Sequence, residues 1–301
     1  MQIFNQLIVW GMPLVPKFIV QHFAKPYVAG ENLSDAVAAV KDLNQKGIMA
    51  TLDVLGEEVH TREKAREAVE SYRELLNTIE AEKLDSNVSL KPTQLGLKID
   101  PKFCLENIRE VVKLANEKGN FVRIDMEDVT CTDETLEMYR KLHEEFPKNV
   151  GVVLQAYLRR LSKDVDHLLP LKPNIRLCKG IYIEKREYAY RVPEIINRDF
   201  TYQLEKLVGN GAYVGIATHD EKLVFEGIRV TEQLKLARND YEFQMLLGVD
   251  PELRDIIVAQ GHRLRVYVPF GKEWYPYCVR RLRENPAIAV SVLKQMLGFK
   301  S

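Results

Sequence analysis

The stretch GIMATLDVLGEEVHTREKAREAVESYRELLNTIEAEKLDSNVSLKP, residues 47–92, holds one full period of the pattern that sets the fold. Residues 47–54 make a short apolar run of strand length. After a turn, residues 62–84 place apolar side chains at three- and four-residue steps with charges between them, the mark of an amphipathic helix. Residues 87–92 then begin the next apolar run.

The alternation continues along the chain. Further strand candidates cover residues 120–126, 150–157, 174–180, 213–219, 241–247 and 264–270, giving eight in all. Their cores are rich in Val, Ile and Leu, as expected of parallel strands buried on both faces. Residues 103–119 and 133–146 read as amphipathic helices, and the first closes on Lys118 and Gly119, a basic last turn followed by a helix-stopping glycine. Strand–helix units repeated over roughly 250 residues indicate an α/β fold, a parallel (β/α)8 TIM-like barrel. A doubly wound open sheet shares this periodicity and stays open as an alternative. The expected division is an N-terminal helical extension over residues 1–44, then a barrel over residues 45–301 whose final helix covers the active-site face.

Polarity enters the strands at one level. Asp53, Lys91, Asp125, Gln155, Lys179, His219, Gln244 and Tyr267 stand at or near the carboxyl ends of their predicted strands. In a barrel those ends converge on the face where barrel enzymes carry out their chemistry. A single polar residue there usually caps the next helix. A whole register of them implies a common site.

Composition narrows the classes. A chain of 301 residues, 46% hydrophobic and 29% charged, is ordinary for a soluble protein with a substantial core. Lys plus Arg equals Asp plus Glu at 43 each, so no global field favours nucleic acid. Cys104, Cys131, Cys178 and Cys278 lie far apart with no CxxC pair, which suits a reducing cytoplasm. His22, His60, His143, His167, His219 and His262 show no HxH or HExxH spacing, so no metal site is expected. The apolar run at residues 7–23 is interrupted by Pro13, Pro16 and Lys17 before it reaches the ~20 residues of a membrane span, and it reads as a packed or surface-lying helix.

Near the carboxyl terminus, Tyr275 precedes Pro276, a residue suited to a first helical turn. Arg280, Arg281 and Glu284 follow Tyr277 at helical spacing and share its face. Adjacent arginines can grip a carboxylate through bidentate charge-assisted bonds, with Glu284 holding one of them in place. A solvated face with a stabilising Arg–Glu pair is the plainer alternative.

These residues carry a family resemblance. RLCKGIY, residues 176–182, resembles the Arg-x-x-Lys-Gly-x-Tyr segment of proline dehydrogenases, and YCVRRLRE, residues 277–284, resembles that family's terminal Tyr-x-x-Arg-Arg-x-x-Glu helix. TLDVLGE, SLKPTQLG, RIDMED, ATHD, EFQMLLG and RVYVPFG occur in the family's order at similar spacings, so the resemblance covers about residues 45 to 295. It is the monofunctional form that the chain resembles, with no aldehyde dehydrogenase module or DNA-binding segment.

The resemblance implies noncovalently bound FAD at the carboxyl end of the barrel, oxidation of L-proline to 1-pyrroline-5-carboxylate by hydride transfer to flavin N5, and a quinone as electron acceptor. Arg176 would lie near the flavin N5 edge. Lys179 and the backbone around Cys178 and Gly180 would face the cofactor. Gln155 and the Met126 backbone would address the flavin ring, and Thr218 and His219 its ribose-phosphate part. Arg280, Arg281 and Lys91 would hold the proline carboxylate, while Tyr182, Leu246, Tyr267 and Tyr277 enclose its ring. Asp125 would support the substrate site, and Glu57 would gate the pocket by pairing with Arg280. The implied location is the cytoplasm, with peripheral contact at the inner face of the membrane allowed. Ile183 departs from the pattern, because many relatives carry an aromatic residue there. Two rival functions remain at this level: a cofactor-free lyase or aldolase with Lys91 or Lys179 as a Schiff-base lysine, and a proline-binding protein without activity.

Overall fold

The computed structural model describes residues 26–56, 58–275 and 277–278. Its strands are β1 (Met49–Val54), β2 (Ser86–Leu90), β3 (Val122–Ile124), β4 (Val150–Gln155), β5 (Asn174–Cys178), β6 (Tyr213–Ala217), β7 (Tyr241–Leu246) and β8 (Leu264–Phe270). Each pairs in parallel with the next, and β8 pairs with β1, so the sheet closes into a barrel. Closure excludes the open-sheet alternative. Helices fill the connections between consecutive strands. The final helix expected over the active-site face falls outside the described residues.

The helices start and stop where their sequences direct. The helix Arg62–Ala81 is capped by Thr61, whose hydroxyl accepts from the Lys64 amide at 3.3 Å, and it buries Ala65, Ala68, Val69, Tyr72, Leu76 and Ile79 at helical spacing. The helix Pro101–Glu117 begins on the Asp100 cap with proline in its first turn and ends at Lys118, after which Gly119 takes a left-handed conformation at φ 62°.

The strands differ from the expectation of two apolar faces. Val and Ile residues such as Val88, Ile124, Val152, Ile175, Val214 and Ile216 are fully buried in one continuous core. On the outer face, Ile216 and Phe243 meet the helix Glu221–Gln233 at Gly227. Many of the alternate residues turn into the barrel and are polar. Thr51 donates to Asn87 across neighbouring strands, Arg123 donates to the Asn174 carbonyl at 2.7 Å, and Arg265 forms an ion pair with Glu242 at 2.7 Å. Glycine makes this possible at two points: a Cβ at Gly151 would stand 2.4 Å from Arg123 Nη1, and one at Gly215 would stand 2.4 Å from Gln244 Nε2.

The chain ahead of the barrel is stitched to its rim. The helix Leu33–Gln45 packs on β1 and β8. Just before it, Ala29 donates to the Pro269 carbonyl at 2.9 Å, and Gly271 donates back to the Gly30 carbonyl at 2.9 Å. The Pro26 carbonyl lies so close to Gly248 that a Cβ there would approach it to 2.1 Å.

Candidate active site

A cavity of about 550 Å³ opens at the carboxyl ends of the strands. It brings together every described residue to which the resemblance assigns a place in the site: Lys91, Asp125, Met126, Gln155, Arg176, Cys178, Lys179, Gly180, Tyr182, Thr218, His219, Leu246, Tyr267 and Tyr277. Glu57, Arg280 and Arg281 lie outside the described residues. Gln244 also lines the wall, whereas Asp53 is fully buried beneath Lys91.

Asp125 stands at the centre of the polar floor. Arg176 Nη1 donates to its Oδ1 at 2.7 Å, Ser89 donates to the same oxygen at 2.6 Å, and the Tyr267 hydroxyl donates to Oδ2 at 2.9 Å. Burial, then the Asp125 and Asp53 carboxylates, hold the Tyr267 phenol well above its ordinary pKa, so it remains a donor. The Arg176 guanidinium carbon also lies 5.2 Å from the centre of the Tyr267 ring.

Lys91 donates to both carboxylate oxygens of Asp53 at 2.7 Å. Burial works against its charge, but Asp53 and Asp125 outweigh burial and raise its pKa above the usual lysine value. Lys179 is bound by Asp220 at 2.5 Å, and Asn197 donates to the same oxygen at 3.1 Å. Burial alone would raise the Asp220 pKa, yet these two donors hold it below the usual carboxylate range. His219 accepts the Leu246 amide on Nε2 at 2.8 Å, which puts the proton of a neutral ring on Nδ1.

Two features fit a planar heterocycle with polar edges. Gln155 Nε2 reaches the Met126 carbonyl at 3.4 Å, while its Oε1 is buried without a partner among the described residues and so retains an acceptor for a ligand donor. Gly180 adopts φ 102°, and a Cβ there would stand 2.2 Å from the Tyr157 ring, so bare backbone is required at the cavity wall. Ile183, at the departure from the resembled pattern, is fully exposed.

Sequence reasoning left several supports unassigned. Asp53 and Gln244 were visible as strand-end polar residues, and Asp220 ends the ATHD segment while capping the helix Glu221–Gln233 through the Lys222 amide at 3.0 Å. Ser89 opens the SLKPTQLG segment but received no role, since a serine within an apolar strand looks like a neutral filler.

The fold and this cavity define a (β/α)8-barrel enzyme with its charged machinery at the carboxyl face. The sequence profile described as "Proline dehydrogenase" matches residues 36–294. Proline dehydrogenase 1 of Bacillus subtilis (strain 168) is 37% identical over 278 residues, covering 91% of this chain and 90% of that protein. Proline dehydrogenase of Deinococcus radiodurans is 36% identical over 280 residues, with 92% and 90% covered. The crystal structure of proline utilization A from Bdellovibrio bacteriovorus inactivated by N-propargylglycine superposes with a TM-score of 0.83 at 27% identity, covering 93% of this chain and 34% of the other. The chain thus spans about a third of that longer protein. It belongs to the proline dehydrogenase family. The family's enzymes oxidise proline in proline catabolism, and the family implies a flavin cofactor.

Gly180→Ala provides a direct check on the cavity wall. The positive φ and the Tyr157 contact should together cost about 1–3 kcal/mol, visible as a lower urea midpoint, and the purified variant should carry less flavin. A variant with wild-type stability and flavin content would show that the wall tolerates a side chain.

Proposed function

We propose that this chain oxidises L-proline to 1-pyrroline-5-carboxylate, with FAD held noncovalently at the carboxyl end of the barrel and a quinone taking up the electrons. The observation that carries the cofactor reading is the buried, unpartnered Gln155 Oε1 in the same cavity as Arg176 and the bare Gly180 backbone. When bound, FAD supplies a hydride acceptor at flavin N5.

The residues divide the work by chemistry. Arg176 offers a fixed cation where negative charge develops during hydride transfer. Gln155, the Met126 and Cys178 backbones and Gly180 border the ring system, and Lys179, Thr218 and His219 address the phosphate and ribose portion. The proton on His219 Nδ1 suits an anionic group. Lys91 makes two bonds to Asp53 and has a third N–H for the proline carboxylate, a role it shares with Arg280 and Arg281 by the family resemblance. Tyr182, Leu246, Tyr267 and Tyr277 enclose the pyrrolidine ring, and Asp125 holds Arg176 and Tyr267 in register. Glu57, three residues after β1 in sequence, takes the gating role that the resemblance implies. Anchoring the carboxylate directs C5, at the far side of the ring, toward the hydride acceptor.

The acceptor and location rest on the family resemblance: a quinone, and a cytoplasmic enzyme for which peripheral membrane contact is allowed. Among the described residues no helix is long and apolar enough to cross a membrane. The Schiff-base alternative is disfavoured because Asp53 holds the Lys91 amine in its protonated form and Asp220 ion-pairs with Lys179 at 2.5 Å.

Denatured protein should release free FAD, and anaerobic proline should bleach the native visible spectrum. Deuterium at proline C5 should slow the bleaching, with little primary effect from deuterium at Cα. Recovery of FMN alone, or of no flavin after reconstitution, overturns the cofactor reading. An isotope effect at Cα and none at C5 overturns the regiochemistry.

A further inference from the structure

Below the cavity, hydrogen bonds run through the barrel in a fixed sense. Arg265 donates from Nε to Glu242 Oε1 at 2.7 Å and from Nη2 to Oε2 at 3.2 Å, and its Nη1 donates to the Ala50 carbonyl at 2.7 Å. Tyr213 adds its hydroxyl to Glu242 Oε2 at 2.9 Å. An ionised carboxylate can only accept. Gln244, two residues along the same strand, therefore turns its amide nitrogen toward Glu242 and donates to Oε1 at 2.6 Å. Its amide oxygen is left for Arg176, whose Nε donates to it at 2.5 Å. An isolated amide could point either way, but here an acceptor-only group stands at one end and a donor-only group at the other.

The consequence falls on Arg176. Gln244 holds its Nε edge, while Asp125 at 2.7 Å and Ser89 at 3.2 Å hold Nη1. Nη2 then has no partner among the described residues, and Arg176 lines the cavity. Two constraints on a planar guanidinium fix the plane as well as the position of the remaining donor. Gly215 supplies the space for this brace, since a Cβ there would press on the Gln244 amide.

We propose that Gln244 is a positioning residue for proline oxidation, locking the Arg176 guanidinium so that its remaining donor faces the cavity in a set direction. This rests on the flavin-dependent reading given above. Buried supports of this kind govern how precisely a reacting group is held, and small misplacements cost rate more than affinity.

Two substitutions test it. Gln244→Met keeps similar volume and removes both hydrogen bonds. Gln244→Glu sets two carboxyl groups where the 2.6 Å bond stood, so that a proton must be shared between them. The charged and titratable groups around that position are Glu242 on β7, Arg176 on β5, Tyr213 on β6, Arg265 on β8, Arg123 on β3, and Asp125 just after β3. A protonated Glu at 244 reproduces the amide, donating to Glu242 and accepting from Arg176. Its folded-state pKa is raised, so the stability it contributes is complete below the unfolded value and is lost as pH rises through the folded one.

The measurements are the thermal midpoint against pH without proline, and the rate of anaerobic flavin reduction with KM for proline. For Gln244→Glu, midpoint and rate relative to wild type should both fall between about pH 5 and about pH 9. For Gln244→Met, reduction at saturating proline should slow about 10- to 100-fold with KM changed less than about threefold. Overturning results are a Gln244→Met rate within about threefold of wild type, or a Gln244→Glu pH profile parallel to wild type. Should Gln244→Met fail to fold, the Gln244→Glu profile decides. A wild-type protein without flavin would sink the broader reading and this one with it, whereas a flavoprotein bleached by proline and indifferent to position 244 would sink only this proposal.

Discussion

Replacing Arg176 with methionine should slow anaerobic flavin reduction by proline on the order of 100- to 1,000-fold, about 2.7–4 kcal/mol of barrier. The side chain is buried, and its position is set by Gln244 at one edge and by Asp125 with Ser89 at the other. Methionine occupies much of the volume but, among the described residues, leaves the Asp125 carboxylate with the Ser89 and Tyr267 hydroxyls. The charge at the cavity floor then changes from a balanced pair to a carboxylate, which opposes accumulation of negative charge nearby. Stopped-flow reduction, with flavin content measured in parallel, separates lost chemistry from lost cofactor. A variant that keeps its flavin and reduces within about threefold of the wild-type rate would remove Arg176 from the chemical step.

The second large effect is on stability. Arg265→Met should destabilise the fold by about 3–5 kcal/mol at neutral pH, the usual result of stripping one partner from a buried ion pair. Burial pushes the Glu242 pKa up, but Arg265, and to a lesser extent Gln244 and Tyr213, hold it at about 2. In the wild type this contribution is present above the unfolded carboxyl value of about 4.3 and fades as pH falls through the depressed folded value. Without Arg265, burial dominates and the sign reverses: the Glu242 carboxyl is raised in the folded state and destabilises as pH climbs. The gap between variant and wild type should therefore be widest near pH 7 and should narrow toward pH 4 in urea unfolding. A loss that is constant with pH would mean that packing of the Arg265 stem, and not its charge, sets the cost.

The sequence made the barrel legible because its outer face follows a simple rule. Val88, Ile124, Val152, Ile175, Val214 and Ile216 recur in short runs between amphipathic helices, and Asp53, Lys91, Asp125, Gln155, Lys179, His219, Gln244 and Tyr267 mark the carboxyl ends. The cavity residues were legible from ordered motifs such as RLCKGIY, since chemistry confines those residue types to the loops after the strands. The inner face was not. Arg123, Glu242 and Arg265 alternate with apolar neighbours inside strands, a pattern that ordinarily signals a solvated face. Here the opposite face is a closed interior in which the charges satisfy one another across strands distant in sequence. Arg265 and Glu242 are adjacent in space but belong to different runs, and Arg176 meets Gln244 across β6, where Gly215 leaves the room. Pairing partners of this kind are set by register, which hydrophobic periodicity leaves undetermined. Strand β3 was shorter than its apolar run suggested, because Asp125 and Met126 turn into the cavity after Ile124.

The join at Ala29, Gly30 and the end of β8 also bears on how far the chain could be trimmed. A fragment begun at residue 45 would retain every strand of the barrel, and by strand count alone it would look complete. It would nevertheless leave the Pro269 carbonyl and the Gly271 amide without their partners, remove the Leu33–Gln45 helix from β1 and β8, and uncover Gly248 at the rim. Trp274 would lose the Glu31 carboxylate that accepts its indole N–H at 2.8 Å, only a few residues before Tyr277 enters the cavity. The leading segment and the tail that follows β8 are thus fastened to each other at the mouth of the barrel. The shortest unit that preserves this mouth must start no later than Pro26, well ahead of the first strand.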